Sequence, residues 1–277
     1  SRRPVRLKGE KKQVQDGVGI ILTIDSTIQQ FVREELLKRY RMYQAEAAYA
    51  IVAEPKTGAI LAMVSLPDYN PDTYYLARTD FLKNRTITDE FEPGSIFKPI
   101  ASAIALNEGV IDKNTKIDCE NGFYAGKGFG SIKEYRYHKY GVMDVKHILI
   151  NSSNIGMAKI GQKLGKKKLY DGLRFFGFGK KTGIDIPGEA DGLLRTPDKW
   201  TGYSVTRIPF GQEVTVTALQ IIKAYCILAN GGHLVKPYLV KAVVDDQGNI
   251  KKIKRRTSSV GYVLKPEVAD WMVQEAL

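Results

Sequence analysis

The spacing of apolar and polar positions changes several times along the chain, and each change predicts a new element. Residues 18–25 form a short apolar run that predicts a strand. Residues 27–44 carry apolar side chains at helical spacing, which predicts a helix that Ser26 or Thr27 is placed to cap.

Two pairs of apolar runs predict β-hairpins at opposite ends of the chain. Residues 48–54 and 59–66 flank Pro-Lys-Thr-Gly at 55–58, where proline and glycine occupy turn positions. A second pair, 234–245 and 250–254, flanks Asp-Gln-Gly-Asn at 246–249. Because helices are predicted between these hairpins, we expect an α+β fold whose antiparallel sheet is assembled from distant parts of the chain.

The middle of the chain predicts mostly helices, joined by irregular segments. Residues 67–92 are polar and contain proline, which predicts a loop, and the glycines and aromatics of 112–140 have no clean period, which predicts a segment that wraps the surface. Helices are predicted at 101–106, in two pieces within 142–164 with a break at 151–154, and at 166–176, 220–229 and 266–277.

Composition narrows the possible functions. The chain has 277 residues, of which 43% are hydrophobic, as in an ordinary globular protein, and no apolar run approaches the roughly 18 residues of a membrane helix. The formal net charge of +12 is compatible with a polyanionic partner. The basic runs are scattered, however, and no aromatic–basic motif of the RNA-binding kind accompanies them. We therefore expect no nucleic-acid binding.

The cysteines and histidines predict neither a disulfide framework nor a metal site. Cys226 lies within the predicted helix 220–229 and is expected to be a packed thiol, with Cys119 far away in sequence. The three histidines are well separated, and neither His-Glu-x-x-His nor Cys-x-x-Cys occurs. We expect no metal and no cofactor.

A serine and a lysine lie three residues apart where a helix is predicted to begin. Residues 92–99 read Glu-Pro-Gly-Ser-Ile-Phe-Lys-Pro, so Ser95 and Lys98 share a helix face and Lys98 is placed to act as the base for a Ser95 nucleophile. About one Ser-x-x-Lys match is expected by chance in a chain of this composition. A capping serine beside a solvated lysine is therefore the alternative interpretation.

The break at 151–154 brings a second group of polar side chains. It reads Asn-Ser-Ser-Asn, and Ser152 with Asn154 forms the one Ser-x-Asn of the chain. These groups either cap the following helix or face a cleft, and capping is the more frequent role of such residues.

Together the two motifs resemble those of the penicillin-binding proteins, the D,D-transpeptidases of cell-wall synthesis. Residues 53–63, 176–189 and 210–220 resemble further landmarks of that family, so the similarity extends from about residue 17 onward. Ser-Ser-Asn and the Cys-Glu-Asn-Gly stretch at 119–122 resemble its class B, division-associated branch.

The resemblance implies a penicillin-binding and serine-β-lactamase-like α+β fold and a serine acyl-enzyme mechanism. Ser95 would attack the D-Ala-D-Ala bond of a stem peptide, with its own backbone N–H as one oxyanion donor, and Lys98 would act as base. Ser152 would relay a proton to the leaving amine, and Asn154 would hold the substrate's amide groups. Lys98 can serve as a base only if its surroundings keep it neutral.

The resemblance also implies biological context. Expected partners are peptidoglycan stem peptides, β-lactams as inhibitors, a glycosyltransferase and division-complex proteins. The setting would be periplasmic, with an inner-membrane anchor outside this chain. The alternatives are a D,D-carboxypeptidase, a β-lactam-hydrolysing relative and a non-catalytic scaffold that binds the cell wall.

The family's third motif, Lys-[Ser/Thr]-Gly followed by Ser or Thr, has no match at its usual place. Lys181-Thr182-Gly183 comes soon after Asn154, lies in a glycine-rich turn and is followed by Ile184, so we expect it to be non-catalytic. We therefore expect residues 17–277 to form a transpeptidase domain that ends before its third motif and acylates poorly alone. Residues 1–16 would be a linker or the end of a non-catalytic module.

Overall fold

The computed structural model describes residues 17–253 and 261–277 as helices packed with four small antiparallel sheets. The expected linker, 1–16, and the last residue of the predicted strand 250–254 lie outside the described residues. The strands are β1 Gly19–Leu22, β2 Ala48–Ala53, β3 Ile60–Leu66, β4 Ile117–Asp118, β5 Phe123–Gly126, β6 Gly130–Lys133, β7 Val142–Met143, β8 Val240–Val244 and β9 Ile250–Lys252. The α-helices are α1 Ser26–Met42, α2 Arg85–Thr88, α3 Lys98–Asn107, α4 Val145–Ile150, α5 Asn154–Phe176, α6 Ser204–Arg207, α7 Ala218–Ala229 and α8 Pro266–Trp271, with a π-turn at Met272–Ala276.

The largest sheet joins the two ends of the described chain. Strand β1 pairs with β8, which in turn pairs with β9, and both pairings are antiparallel. The predicted assembly of a sheet from distant segments is therefore confirmed, as is the hairpin around residues 246–249.

The predicted hairpin at 48–66 is formed by β2 and β3. Side chains of β3 alternate between buried and half-buried, because its even-numbered residues face the core. The turn depends on Gly58, whose φ is +78° and where a Cβ would lie 2.6 Å from the carbonyl oxygen of Lys236. Strand β3 thus supplies one apolar wall of the fold.

Helices α3 and α5 form the centre of the main core. The first eight residues of α3 are all buried, including the polar Lys98 and Ser102. Helix α5 has two helical halves, as predicted, because Gly165 has a non-helical φ of 73° between them. A Cβ on Gly161 would lie 2.2 Å from the carbonyl oxygen of Val205, so α5 and α6 pack backbone to backbone at this point.

The structure differs from the local predictions in three places. The cap of α1 is Asp25, whose carboxylate accepts from the amides of Thr27 and Ile28, whereas Ser26 or Thr27 was expected. The predicted loop 67–92 contains α2 and two 3₁₀ turns, and the segment 112–140 contains short strands. Both segments are ordered by contacts with distant residues, which local periodicity does not report.

None of the helices within the described residues is long and apolar enough to cross a membrane.

Candidate active site

Ser95 lies in a tight turn at the start of the buried helix α3. Residues Gly94–Phe97 form a 3₁₀ turn, and the backbone N–H of Lys98 donates to the carbonyl oxygen of Ser95. The side chain of Ser95 is exposed, whereas Phe97 and Lys98 on either side of the turn's end are buried. The turn therefore exposes Ser95 to solvent and leads into α3, whose first residue is the buried Lys98.

The turn that carries Ser95, the predicted nucleophile, is held in place by the loop that follows α6. The amide of Gly94 donates to the carbonyl oxygen of Gly211 at 3.0 Å, and a Cβ at position 211 would lie 2.2 Å from the carbonyl oxygen of Gly94. Phe91 pairs with Val216 through two backbone hydrogen bonds. The position of Ser95 thus depends on a close backbone contact that a side chain at 211 would obstruct.

The second motif is a helix end followed at once by a helix start. The amide of Ser153 donates to the carbonyl oxygen of Ile148 at 2.9 Å, and the amide of Ser152 donates to that of Leu149 at 3.0 Å. This is the Schellman arrangement, in which the residue at the position of Ser152 has a left-handed backbone and is usually glycine. Ser152 has a φ of 53°, so the motif keeps a serine where the backbone favours glycine.

Lys98 joins the first motif to the second. Its Nζ donates to the carbonyl oxygen of Ser152 at 2.5 Å, to the Ser152 hydroxyl at 3.0 Å and to the side-chain oxygen of Asn154 at 2.8 Å. Three acceptors match the three N–H donors of an ammonium group. Asn154 in turn donates its side-chain amide to the carbonyl oxygen of Lys133 at 3.1 Å. Both ends of the Asn154 amide are therefore occupied within the protein.

Burial shifts the protonation equilibrium of Lys98. The side chain is 2% exposed, and this desolvation lowers the pKa of its amine from 10.5 to about 8. The negative charge of Glu134 opposes the shift. At neutral pH a minority of the molecules therefore hold Lys98 as the free amine that a base requires.

Glu134 is buried beside the second motif. Its carboxylate accepts from the Ser153 hydroxyl at 2.5 Å and from the backbone amides of Asn154 and Ile155 at 2.7 and 3.2 Å. The sequence analysis did not identify this residue. Its signal was the two-residue alternation that continues from β6, because Ile132 and Glu134 are buried while Ser131 and Lys133 are exposed.

The two motifs meet in one cavity. It has a volume of about 610 Å³, and its lining includes Ser95, Ser152, Asn154 and Glu134. Aromatic side chains also line the cavity, among them Tyr140, whose hydroxyl lies 2.8 Å from Nδ1 of His138. The structure thus brings all four predicted site residues, Ser95, Lys98, Ser152 and Asn154, into one region. Among the described residues no hydrogen bond joins Ser95 directly to Lys98.

The second Lys-Thr-Gly stretch has a different environment. The backbone amides of Thr182 and Gly183 donate to the carboxylate of Glu189 at 2.7 and 3.0 Å. Ile184 packs in a separate apolar cluster with Leu219, and none of these residues lines the cavity. The stretch therefore has a structural role in this fold.

Within the described part of the chain, no group of three or more His, Cys, Asp or Glu side chains is arranged to hold a metal ion.

An exposed serine, a buried lysine of lowered pKa and a second polar motif that binds this lysine define a serine–lysine site.

Comparison with known proteins identifies the family. Residues 48–275 match the penicillin-binding protein transpeptidase domain. The chain is 33% identical over 225 residues to the probable peptidoglycan D,D-transpeptidase PbpC of Pseudomonas aeruginosa, and 33% identical over 236 residues to stage V sporulation protein D of Bacillus subtilis. These alignments cover 80% and 83% of this chain but 39% and 36% of the relatives.

The structural match is also close. The crystal structure of penicillin-binding protein 3 from Mycobacterium tuberculosis in its apo form superposes with a TM-score of 0.86 at 28% identity, covering 96% of this chain and 59% of that one. The complex of the same protein with aztreonam gives a TM-score of 0.85. The chain therefore belongs to the penicillin-binding protein transpeptidase family, in its class B branch. The predicted fold class and family are confirmed.

Proposed function

We propose that the protein is a peptidoglycan D,D-transpeptidase that forms an acyl-enzyme on Ser95. The observation that carries the proposal is the contact set of Lys98, because a buried amine with a pKa of about 8, three residues after an exposed serine, binds both polar residues of the second motif. The relatives named above support the same activity, since PbpC is named as a probable peptidoglycan D,D-transpeptidase. The chain spans about 40% of such curated relatives, so the substrate is proposed for the whole protein.

The first step requires Lys98 without its proton. A neutral amine has two N–H donors and one lone pair, so it cannot donate to all three oxygens that surround it. Of these acceptors, the Ser152 hydroxyl alone carries a proton that it can donate. After loss of the proton, the two remaining N–H groups can keep the carbonyl oxygen of Ser152 and the side-chain oxygen of Asn154 as acceptors, and the lone pair of the amine is left free to accept a proton.

Acylation then moves one proton and exchanges one bond. The Ser95 oxygen attacks the carbonyl carbon between the two terminal D-alanines, and Lys98 takes the hydroxyl proton. The peptide C–N bond breaks when the departing D-alanine nitrogen receives a proton through Ser152. The amine of a second stem peptide then attacks the Ser95 ester and forms the cross-link. A β-lactam would acylate Ser95 in the same way.

The alternatives differ in what resolves the acyl-enzyme. A D,D-carboxypeptidase or a β-lactam-hydrolysing relative would use water, and a non-catalytic scaffold would form no adduct. Incubation of the whole protein with a pentapeptide substrate and a labelled D-amino acid separates them. Transpeptidation predicts exchange of the label into the peptide. Free D-alanine release without exchange indicates a carboxypeptidase, and no release from an otherwise folded protein indicates a scaffold.

The cellular context follows from the family and belongs to the proposal. The catalytic centre would act outside the cytoplasmic membrane, where stem peptides are cross-linked, and a membrane anchor would lie outside residues 17–277. A glycosyltransferase and division-complex proteins are the proposed partners. The third Lys-[Ser/Thr]-Gly motif is proposed to belong to the whole protein, and residues 17–277 to its transpeptidase domain.

A further inference from the structure

Glu134 makes more contacts than the start of a helix requires. The N-cap of α5 is Ser153, whose hydroxyl accepts from the amide of Gly156 at 2.9 Å. Glu134 adds a second acceptor group for Asn154 N, Ile155 N and the same Ser153 hydroxyl. A carboxylate that is 4% exposed is costly to bury, so its several hydrogen bonds call for an explanation beyond capping.

The contacts of Glu134 and of Lys98 lie on the same short segment. Lys98 binds Ser152 and Asn154, and Glu134 binds Ser153 and Asn154. The carboxylate therefore fixes the backbone that presents the acceptors of Lys98. A shift of this segment would move the hydroxyl of Ser152 and the amide of Asn154 together.

The charge of Glu134 also reaches Lys98. Among the described residues, Glu134 is the charged group whose field shifts the pKa of Lys98, and it raises this pKa against the effect of burial. Burial and the same carboxylate raise the pKa of Tyr140 and Cys119, which stay neutral at physiological pH. On α5, Lys159 is paired with Glu120.

We propose that Glu134 is a positioning residue that holds Ser152 and Asn154 against Lys98 and acts on the Lys98 amine through its negative charge. This inference rests on the proposed acyl transfer by Ser95. It assigns two separable effects to one carboxylate. Its hydrogen bonds favour a high maximal rate, and its charge keeps Lys98 protonated to a higher pH.

The two effects predict separate changes in the maximal acylation rate and in the midpoint of its pH profile when the charge is removed. Glu134→Gln loses the negative charge and places a side-chain N–H group against the N–H donors of Asn154 and Ile155. The segment is then held less firmly, so the maximal acylation rate falls. The same change removes the field that favours protonated Lys98, so the midpoint of the pH profile moves to lower pH. Glu134→Asp keeps the charge but is shorter, so the rate falls while the midpoint stays. A purely structural residue would change the rate alone.

The experiment uses the full-length protein and fluorescent penicillin. Second-order acylation rates are measured across the pH range for the wild type, Glu134→Gln, Glu134→Asp and Glu120→Gln. Glu120→Gln is the matched control because it removes a more exposed carboxylate whose partner is the half-buried Lys159. We expect the Glu134→Gln midpoint to fall by more than about 0.5 pH unit, a roughly threefold change in the neutral fraction. The other variants should keep the wild-type midpoint.

A second readout does not depend on activity. The Cε resonance of Lys98, assigned with Lys98→Arg in protein carrying ¹³C-lysine, reports the same protonation in each folded variant. An unchanged Lys98 midpoint in Glu134→Gln overturns the inference, whatever the rate. If the wild type is not labelled at any pH, the proposed function fails, and the resonance titration still decides the role of Glu134.

Discussion

Ser152 has a left-handed backbone at a position where glycine is usual. We therefore expect its Cβ to lower the stability of the folded protein. Its φ of 53° follows from the Schellman arrangement that ends α4. Ser152→Ala removes the hydroxyl and keeps the Cβ, whereas Ser152→Gly removes both. Both variants lose the 3.0 Å hydrogen bond from Lys98, so the difference between them isolates the Cβ.

The expected difference follows from two opposing terms. A Cβ in the left-handed region costs about 1–2 kcal/mol in the folded state. Glycine makes the unfolded chain more flexible, which costs about 0.4–1 kcal/mol. We therefore expect Ser152→Gly to be more stable than Ser152→Ala by about 0.5–1 kcal/mol, or about 1–4 °C in melting temperature. Both variants should lose penicillin acylation to the same extent, because the relay hydroxyl is absent from each.

Urea denaturation followed by circular dichroism measures the difference. The matched control is Ser131, an exposed residue of strand β6, where the order should reverse because glycine weakens a strand. If Ser152→Gly is no more stable than Ser152→Ala, the left-handed strain at this site is refuted. If Ser152→Gly acylates as fast as the wild type, the relay role of the hydroxyl is refuted.

Three further predictions concern the base, a second buried lysine and the contact beneath the nucleophile. Because the pKa of Lys98 is about 8, acylation by fluorescent penicillin should be roughly tenfold faster at pH 9 than at pH 7, and a flat profile would exclude Lys98 as the base. Burial and the charge of a neighbouring lysine lower the pKa of Lys223 to about 8, whereas its pKa in the unfolded chain is 10.5. Between these two pH values the unfolded state binds more protons than the folded state. The free energy of unfolding therefore rises with pH in this range. Lys223→Met should therefore raise the free energy of unfolding at pH 7 by about 1–3 kcal/mol, with a smaller gain at pH 10.5. The same substitution at the exposed Lys163 should leave the free energy of unfolding unchanged at both pH values. Equal gains for Lys223→Met at pH 7 and pH 10.5 would contradict the lowered pKa of Lys223. Gly211→Ala should slow acylation about a hundredfold, because the added Cβ displaces the turn that carries Ser95. Gly188→Ala is the control, because Gly188 has a similar positive φ with no atom within 4 Å of the added Cβ, and it should retain the wild-type rate. Equal rates in both variants would show that the Gly211 contact is dispensable.

The sequence predicted those parts of the fold that depend on local periodicity and turn chemistry. The hairpin around residues 55–58, the break at 151–154 and the second half of α5 from 166 to 176 were all found where expected. The cap of α1 was missed because Asp25, Ser26 and Thr27 are all good capping residues, and only the backbone geometry distinguishes them.

The four predicted site residues lie together in the fold, and their hydrogen-bond partners were not predicted. Helical spacing paired Ser95 with Lys98, but Lys98 donates to the second motif, which lies more than 50 residues further along the chain. Glu134 was not identified, because the two-residue alternation at 131–134 is short and lies in a stretch of glycines and aromatics that otherwise has no clean period. The contact of Gly211 with the nucleophile turn is likewise a meeting of distant backbones, which no local pattern encodes.

The identity of the acylated residue tests the central claim most directly. The whole protein is treated with penicillin, digested with a protease and examined by mass spectrometry, together with Ser95→Ala and, as a matched control, the exposed strand variant Ser131→Ala. We predict a stable penicilloyl adduct on the peptide that contains Ser95, present in Ser131→Ala and absent in Ser95→Ala. An adduct on another residue, or none in the folded wild-type protein, would contradict the assignment of Ser95 as the nucleophile.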